Sequence, residues 1–233
     1  PVTITDDAPI IDNVVPLAVD EDDLSGIGSD QSDAVYVEGA FTTTQGSDRV
    51  VSYQLDSTSD PVAGLTSQGE PVTLVETANA DGSFTYVATA DGNPVFTMNV
   101  NVDGTYNFRL EGPVDHALNS DELVLNFPII ATDFDGDTTT ATIPVTITDD
   151  VPTIDNVVPL TVDEDDLASI GSDQNDDAFM SGSFTTTEGS DSVVKYQLDA
   201  TADPVAGLTS HGDPVVLAET TNGDGSFTYT ATA

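Results

Sequence analysis

The sequence predicts an all-β chain, a tandem series of antiparallel β-sandwich domains joined by short acidic linkers. Three observations predict it. Apolar residues recur with a step of two, Asp-Gly turn signals separate the apolar runs, and the whole pattern returns after 143 residues, Pro1 recurring as Pro144. A step of two places alternate side chains on one face of a strand.

The elements follow in order. Val51, Tyr53 and Leu55 alternate, as do Phe84, Tyr86 and Ala88, then Phe96, Met98, Val100 and Val102. Tyr106, Phe108 and Leu110 form the next run, followed by Leu123, Leu125, Phe127 and Ile129, and by Ile143, Val145 and Ile147. Asp81-Gly82, Asp91-Gly92, Asp103-Gly104 and Asp135-Gly136 lie between runs and supply the positive φ of tight hairpins. No stretch keeps helical spacing for more than a few residues. Many short Thr- and Val-rich strands at close spacing predict a sandwich of immunoglobulin-like or cadherin-like type.

Charge is the opposing consideration. The formal net charge is −39, with 6% aromatic residues, a composition that leans toward disorder. A disordered acidic chain has no reason to keep one apolar face per strand, so the alternation decides for a fold. The same charge excludes nucleic acid and anionic membrane surfaces as partners, because both are held by Lys and Arg, of which there are three. Absence of cysteine removes disulfides, thiolate zinc sites and cysteine nucleophiles. No apolar run approaches the roughly 20 residues of a membrane-spanning helix, and no basic-then-apolar leader opens the sequence. The chain is therefore expected to be either cytosolic or an internal piece of a protein exported by a signal elsewhere.

Pro1 to Leu24, PVTITDDAPIIDNVVPLAVDEDDL, recurs as Pro144 to Leu167, PVTITDDVPTIDNVVPLTVDEDDL. The register continues without a gap to Ala233, the counterpart of Ala90, with about three quarters of the pairs identical. Residues 1–8 read as the last strand and linker of a preceding repeat, 9–150 as one complete repeat, and 151–233 as part of a second. Position 90 is a possible sub-boundary, so two arrangements stand open: one sandwich per period, or an ordered sub-unit over its first 90 residues. The linkers Asp6-Asp7-Ala8-Pro9 and Asp149-Asp150-Val151-Pro152 are too short to act as loose tethers.

Several acidic groups have the composition of hard-cation sites. Asp133, Asp135 and Asp137 crowd three carboxylates on one turn, where they repel unless an ion lies between them. Asp6, Asp7, Asp149 and Asp150 mark the linkers, and Asp20-Glu21-Asp22-Asp23 and Asp163-Glu164-Asp165-Asp166 open the two copies. Oxygen ligands in a flexible set of six to eight favour calcium. The Asp133 turn is no EF-hand, since its glycine is fourth where that loop needs it sixth, and position twelve is Pro144. Asp81 and Asp103 read as hairpin residues only. Thr42-Thr43-Thr44 and Thr138-Thr139-Thr140 could line an ice-binding face, but strand propensity explains them more simply.

Catalytic readings find little support. His116 beside Asp115 has no nucleophile elbow to serve and reads as structural; His211 is replaced by Gln68 in the sister copy and reads as surface. Paired carboxylates for glycoside hydrolysis would arise by chance among 42 acids, and no tryptophan offers a sugar-stacking platform.

The 143-residue period, the VTITDD-x-P junction, the VDEDDL opening, Asp103-Gly-Thr-Tyr-Asn-Phe-Arg-Leu followed by Gly-Pro-Val-Asp-His, and Ala131-Thr-Asp-Phe-Asp-Gly-Asp-Thr together resemble the tandem repeat of giant RTX adhesins. Those proteins are exported by type I secretion in aquatic Gram-negative bacteria. The resemblance implies a calcium-binding, non-enzymatic extender at the bacterial surface, anchored at the outer membrane. It would hold a distal ligand-binding tip away from the cell for attachment and biofilm formation. It also implies that Asp6, Asp7, Asp149 and Asp150 are joint residues and that Asp133, Asp135 and Asp137 face the second joint. Expected partners are calcium and neighbouring repeats of the same chain, with the molecule monomeric. The glycine-rich nonapeptide of the secretion region is absent from this sequence. Two other readings stay open: a calcium-dependent sugar- or peptide-binding sandwich, and an accessory part of a halophilic secreted enzyme.

Overall fold

Strand alternation decides where the sheets form and which side of each is buried. The computed structural model describes residues 2–3, 7–118, 120–173 and 178–233. Their contacts group into two compact units, Pro1–Asp191 and Ser192–Ala233.

The first unit contains β1 (Ile10–Asp12), β2 (Leu17–Asp20), a single 3-10 turn (Glu21–Asp23), β3 (Tyr36–Ala40), β4 (Thr42–Thr44), β5 (Val50–Leu55), β6 (Thr66–Ser67), β7 (Glu70–Ala78) and β8 (Phe84–Ala90). It continues through β9 (Asn93–Val100), β10 (Thr105–Leu110), β11 (Glu122–Asp133) and β12 (Thr138–Thr148), then β13 (Thr153–Asp155), a second 3-10 turn (Glu164–Asp166) and β14 (Thr185–Thr187). A six-stranded sheet in the order β3-β10-β9-β8-β7-β6 faces a four-stranded sheet in the order β2-β12-β11-β5. The fold is an all-β sandwich. β1 with β4, and β13 with β14, form separate two-stranded pairs.

Phe96 of β9, Phe108 of β10 and Phe127 of β11 meet at its centre and tie the sheets together, with ring centroids 4.9 Å apart for Phe96–Phe108 and 5.7 Å for Phe96–Phe127. Burying each such ring contributes about 1.5–3 kcal/mol. The Tyr86 hydroxyl crosses the sandwich to accept a hydrogen bond from the Leu55 amide at 2.7 Å. Tyr86, Met98, Ile129, Ile143 and Ile147 fill the rest of this interior.

Two local departures from simple alternation have identifiable causes. The run expected to reach Val102 stops at Val100, because the Asn101 amide donates to the Thr105 carbonyl and closes the Asp103-Gly104 hairpin. Ala88 faces Phe96 while Thr89 faces Pro94, so Val95 is an inserted residue and both Val95 and Phe96 point inward. Position 90 lies at the β8–β9 hairpin inside the larger sheet.

One pair positions the site. β2 lies parallel to β12 in register from Leu17↔Val145 to Asp20↔Thr148, whereas the other pairs among the described residues are antiparallel. The residues following each strand, Glu21 and Asp149, therefore emerge side by side at one end of the sandwich. The Asp133–Asp137 turn joins the opposite ends of β11 and β12.

The second unit pairs β15 (Thr209–Ser210) with β16 (Asp213–Pro214), and β17 (Val216–Thr221) with β18 (Phe227–Thr232).

Candidate metal centre

The VDEDDL segment opens as a strand and turns at Asp20, whose carboxylate accepts from the Asp22 amide at 3.2 Å and caps the 3-10 turn. A 3-10 turn has three residues per turn, so neighbouring side chains diverge. The four adjacent acids consequently do not converge on one point. Asp20 caps, Asp23 is buried and accepts from the Asp33 amide at 2.6 Å, and Glu21 turns into the interior. Desolvation, then the charges of Asp20 and Asp23, push Asp22 up to about 6.

Glu21 is fully buried. The Val114 amide donates to its Oε1 at 2.7 Å, and the Ser190 hydroxyl, from the second copy, donates to Oε2 at 2.8 Å. Burial pushes its carboxyl up to about 8, against the lowering effect of those two hydrogen bonds. One ligand atom each from Glu21, His116 and Asp149 lie within 4.8 Å of one another.

The linker is anchored on both sides. Asp150 is buried and accepts from the Ser29 amide at 2.9 Å and the Ser29 hydroxyl at 2.6 Å. Gly189 packs so closely on the Asp150 carbonyl that a Cβ would come within 2.1 Å of the oxygen, and its φ is +70°. Gly46 repeats this on the Asp7 carbonyl at 2.3 Å, with the same φ. A glycine is therefore required at both places. Beside the linker, Asp191 is half-buried and its carboxyl is raised, first by desolvation and then by the charges of Asp115 and Asp149.

Asp133, Asp135 and Asp137 also bring ligand atoms within 4.8 Å of one another. Asp133 is buried, its Oδ1 accepting from the Gly136 amide at 3.1 Å and the Asp137 amide at 2.7 Å. The expectation that this turn faces the second joint needs correction. Thr132↔Thr138 closes the hairpin at the turn and Glu122↔Thr148 lies at its other end. At about 3.3 Å per residue, the turn is on the order of 30 Å from Asp149. It shares its end of the sandwich with Val50, and so with the loop that packs on Asp7.

The remaining expected ligands are dispersed. Asp6 lies outside the described residues, and Asp7 is exposed. Asp163 caps its own turn by accepting from the Asp165 amide at 3.2 Å, while Glu164 and Asp165 stand exposed. Asp81 and Asp103 each hold the hydroxyl and amide two residues on, Ser83 at 2.7 and 3.0 Å and Thr105 at 2.6 and 3.0 Å. These bonds, the hydroxyl's first, lower both carboxyls and account for both residues as turn formers. His211 is exposed at a turn.

The residue that the sequence reading left out of the site is His116. Its signal was present: it is the one imidazole of the first copy, in a chain with 42 acids.

The family described as Domain of unknown function (DUF5801) matches residues 16–146, more than half of the sequence. The chain belongs to the DUF5801 family. The matched part of the DUF5801 repeat includes Glu21, His116 and the Asp133–Asp137 turn, and it ends just before Asp149. A search of curated proteins finds no match.

Proposed function

We propose that this DUF5801 chain is a structural extender: a non-enzymatic repeat of a large bacterial surface adhesin, stiffened by calcium at its joints and projecting a distal ligand-binding region for attachment and biofilm formation. The joint carries this reading. A linker that buries Asp150, ties it to Ser29 of one copy and seats Gly189 of the next on its carbonyl is built to fix an orientation. Two copies in unbroken register give such a joint a use, since a defined angle repeated many times yields a long rod.

Calcium supplies what the protein's own charges lack. At −39 the chain repels itself, and the Asp133–Asp137 turn crowds its carboxylates further. A low-calcium interior would keep such a chain poorly folded for export by type I secretion. Outside the cell, free calcium at a hundred times the dissociation constant adds about 2.7 kcal/mol per site. Neighbouring repeats of the same chain are the partners, and the molecule works as a monomer on the cell surface.

The test is calorimetry and small-angle scattering on the chain in calcium and in chelator. Chelation is expected to lower the melting temperature and to enlarge the radius of gyration, as the self-repelling chain loosens. Identical melting curves and scattering profiles in both buffers overturn the extender reading.

A further inference from the structure

Glu21, His116 and Asp149 differ from the other acidic groups in one respect: the set offers a nitrogen. The His116 side chain is 4% exposed, and neither ring nitrogen has a hydrogen-bond partner among the described residues. Buried polar atoms are nearly always partnered, so two orphaned nitrogens on one ring call for an explanation. His116 Nε2 lies 3.6 Å from Glu21 Oε1, too far for a hydrogen bond. It is close to the separation of two ligands on one tetrahedral ion, about 3.4 Å when each is roughly 2.0–2.2 Å from the metal.

The surroundings suit a ligand carboxylate. The Val114 amide and the Ser190 hydroxyl fix both oxygens of Glu21, as the outer bonds of metal centres orient their ligands. Asp191, half-buried in the second copy, is a further carboxyl group close to the linker.

We propose that Glu21, His116 and Asp149 form a divalent transition-metal site, best suited to zinc, separate from the oxygen-only group at Asp133, Asp135 and Asp137; Glu21 and Asp149, expected from the sequence among calcium ligands, are here joined by an imidazole. Imidazole nitrogen selects zinc over calcium, which takes oxygen ligands. Because Ser190 of the second copy holds Glu21 of the first, an ion here clamps two repeats together. The site stands at the joint invoked by the extender reading and depends on that reading for its purpose; ion binding itself depends only on these side chains.

The experiment is calorimetric titration of zinc into the full chain with calcium saturating, supported by the visible d–d absorption of a cobalt-substituted sample. One saturable site per chain is expected, because the second copy has no counterpart of His116. His116→Gln is expected to abolish it while leaving the calcium-dependent rise in melting temperature. Ser190→Ala, which loosens a ligand without removing one, is expected to weaken zinc roughly ten- to hundredfold. Should His116→Gln fail to fold, Asp149→Asn, at a half-buried position, is expected to lose the site instead. No saturable zinc binding in calcium buffer, or wild-type binding in a folded His116→Gln or Asp149→Asn variant, overturns the proposal. Loss of calcium stiffening with the zinc site intact would instead sink the extender reading and leave this one standing.

Discussion

The two copies share most of their sequence and differ sharply in what that sequence does. Leu17 and Tyr53 are 4% and 6% exposed, and their counterparts Leu160 and Tyr196 are 52% and 45% exposed. Strand formation divides in the same way. β1–β4 recurs as β13–β14, and the β7–β8 hairpin as β17–β18. β2, β3 and β5 have no strand counterpart at 160–163, 179–183 and 193–198. Those three pair with β12, β10 and β11, and residues 151–233 hold no equivalent of these strands. A strand forms where its partner is present. Identical residues are core or surface according to whether the other half of the sandwich covers them.

Supplying the missing partners breaks the contrast most strongly. A chain extended after Ala233 by a copy of residues 91–150 should bury Leu160, Phe184 and Tyr196 and give the second copy its own cooperative transition. That transition is expected to be worth about 5–15 kcal/mol, seen in calorimetry and as protection of the 160–163 amides from exchange. Next comes a matched pair of truncations. Phe41→Ala removes a buried ring that packs on Tyr53 and Tyr106 and should cost about 3–5 kcal/mol in denaturant unfolding. Phe184→Ala, at its exposed counterpart, should cost less than about 1 kcal/mol.

A smaller difference is expected from pH. In chelator, Glu21 at about 8 keeps a proton in the folded state that the unfolded chain releases near 4.5, with Asp149, Asp191 and His116 around it. The folded state then binds more protons than the unfolded one between those values, so stability should fall as pH rises from about 5 to 8, by at most about 1.4 kcal/mol per unit. Glu21→Gln should flatten that slope, and Glu164→Gln, at an exposed position, should leave it unchanged. The smallest effect should be equal in both copies. Asp81→Asn and Asp224→Asn each weaken the same turn bonds to Ser83 and Ser226, and amide exchange at those serines should quicken to the same extent.

Legibility in the sequence followed the range of the interaction. The runs at Tyr106–Leu110 and Ile143–Ile147 were readable as strands because alternation is written in consecutive residues. The Asp133–Asp137 cluster was readable because its three ligands lie on one turn. The end of the sandwich on which that turn sits was not, since it depends on the direction of a hairpin eleven residue pairs long. Nor was the Glu21–His116–Asp149 group, whose members come from three distant segments.

By itself the sequence determined what neighbours can enforce. The Asp20 and Asp163 caps, the Asp81–Ser83 and Asp224–Ser226 turns, the Asp56–Thr58 and Asp199–Thr201 turns and the local hairpins occur in both copies, whether buried or exposed, because each is closed by residues a few positions apart. Tertiary structure decided the rest. The parallel pairing of β2 with β12 carried Glu21 alongside Asp149, and loop residues Val114 and Ser190 closed over it. Glu21 and Glu164 occupy the same VDEDDL motif, yet one is sealed beside an imidazole and the other faces solvent, since burial depends on which strands lie opposite and not on the residues alongside.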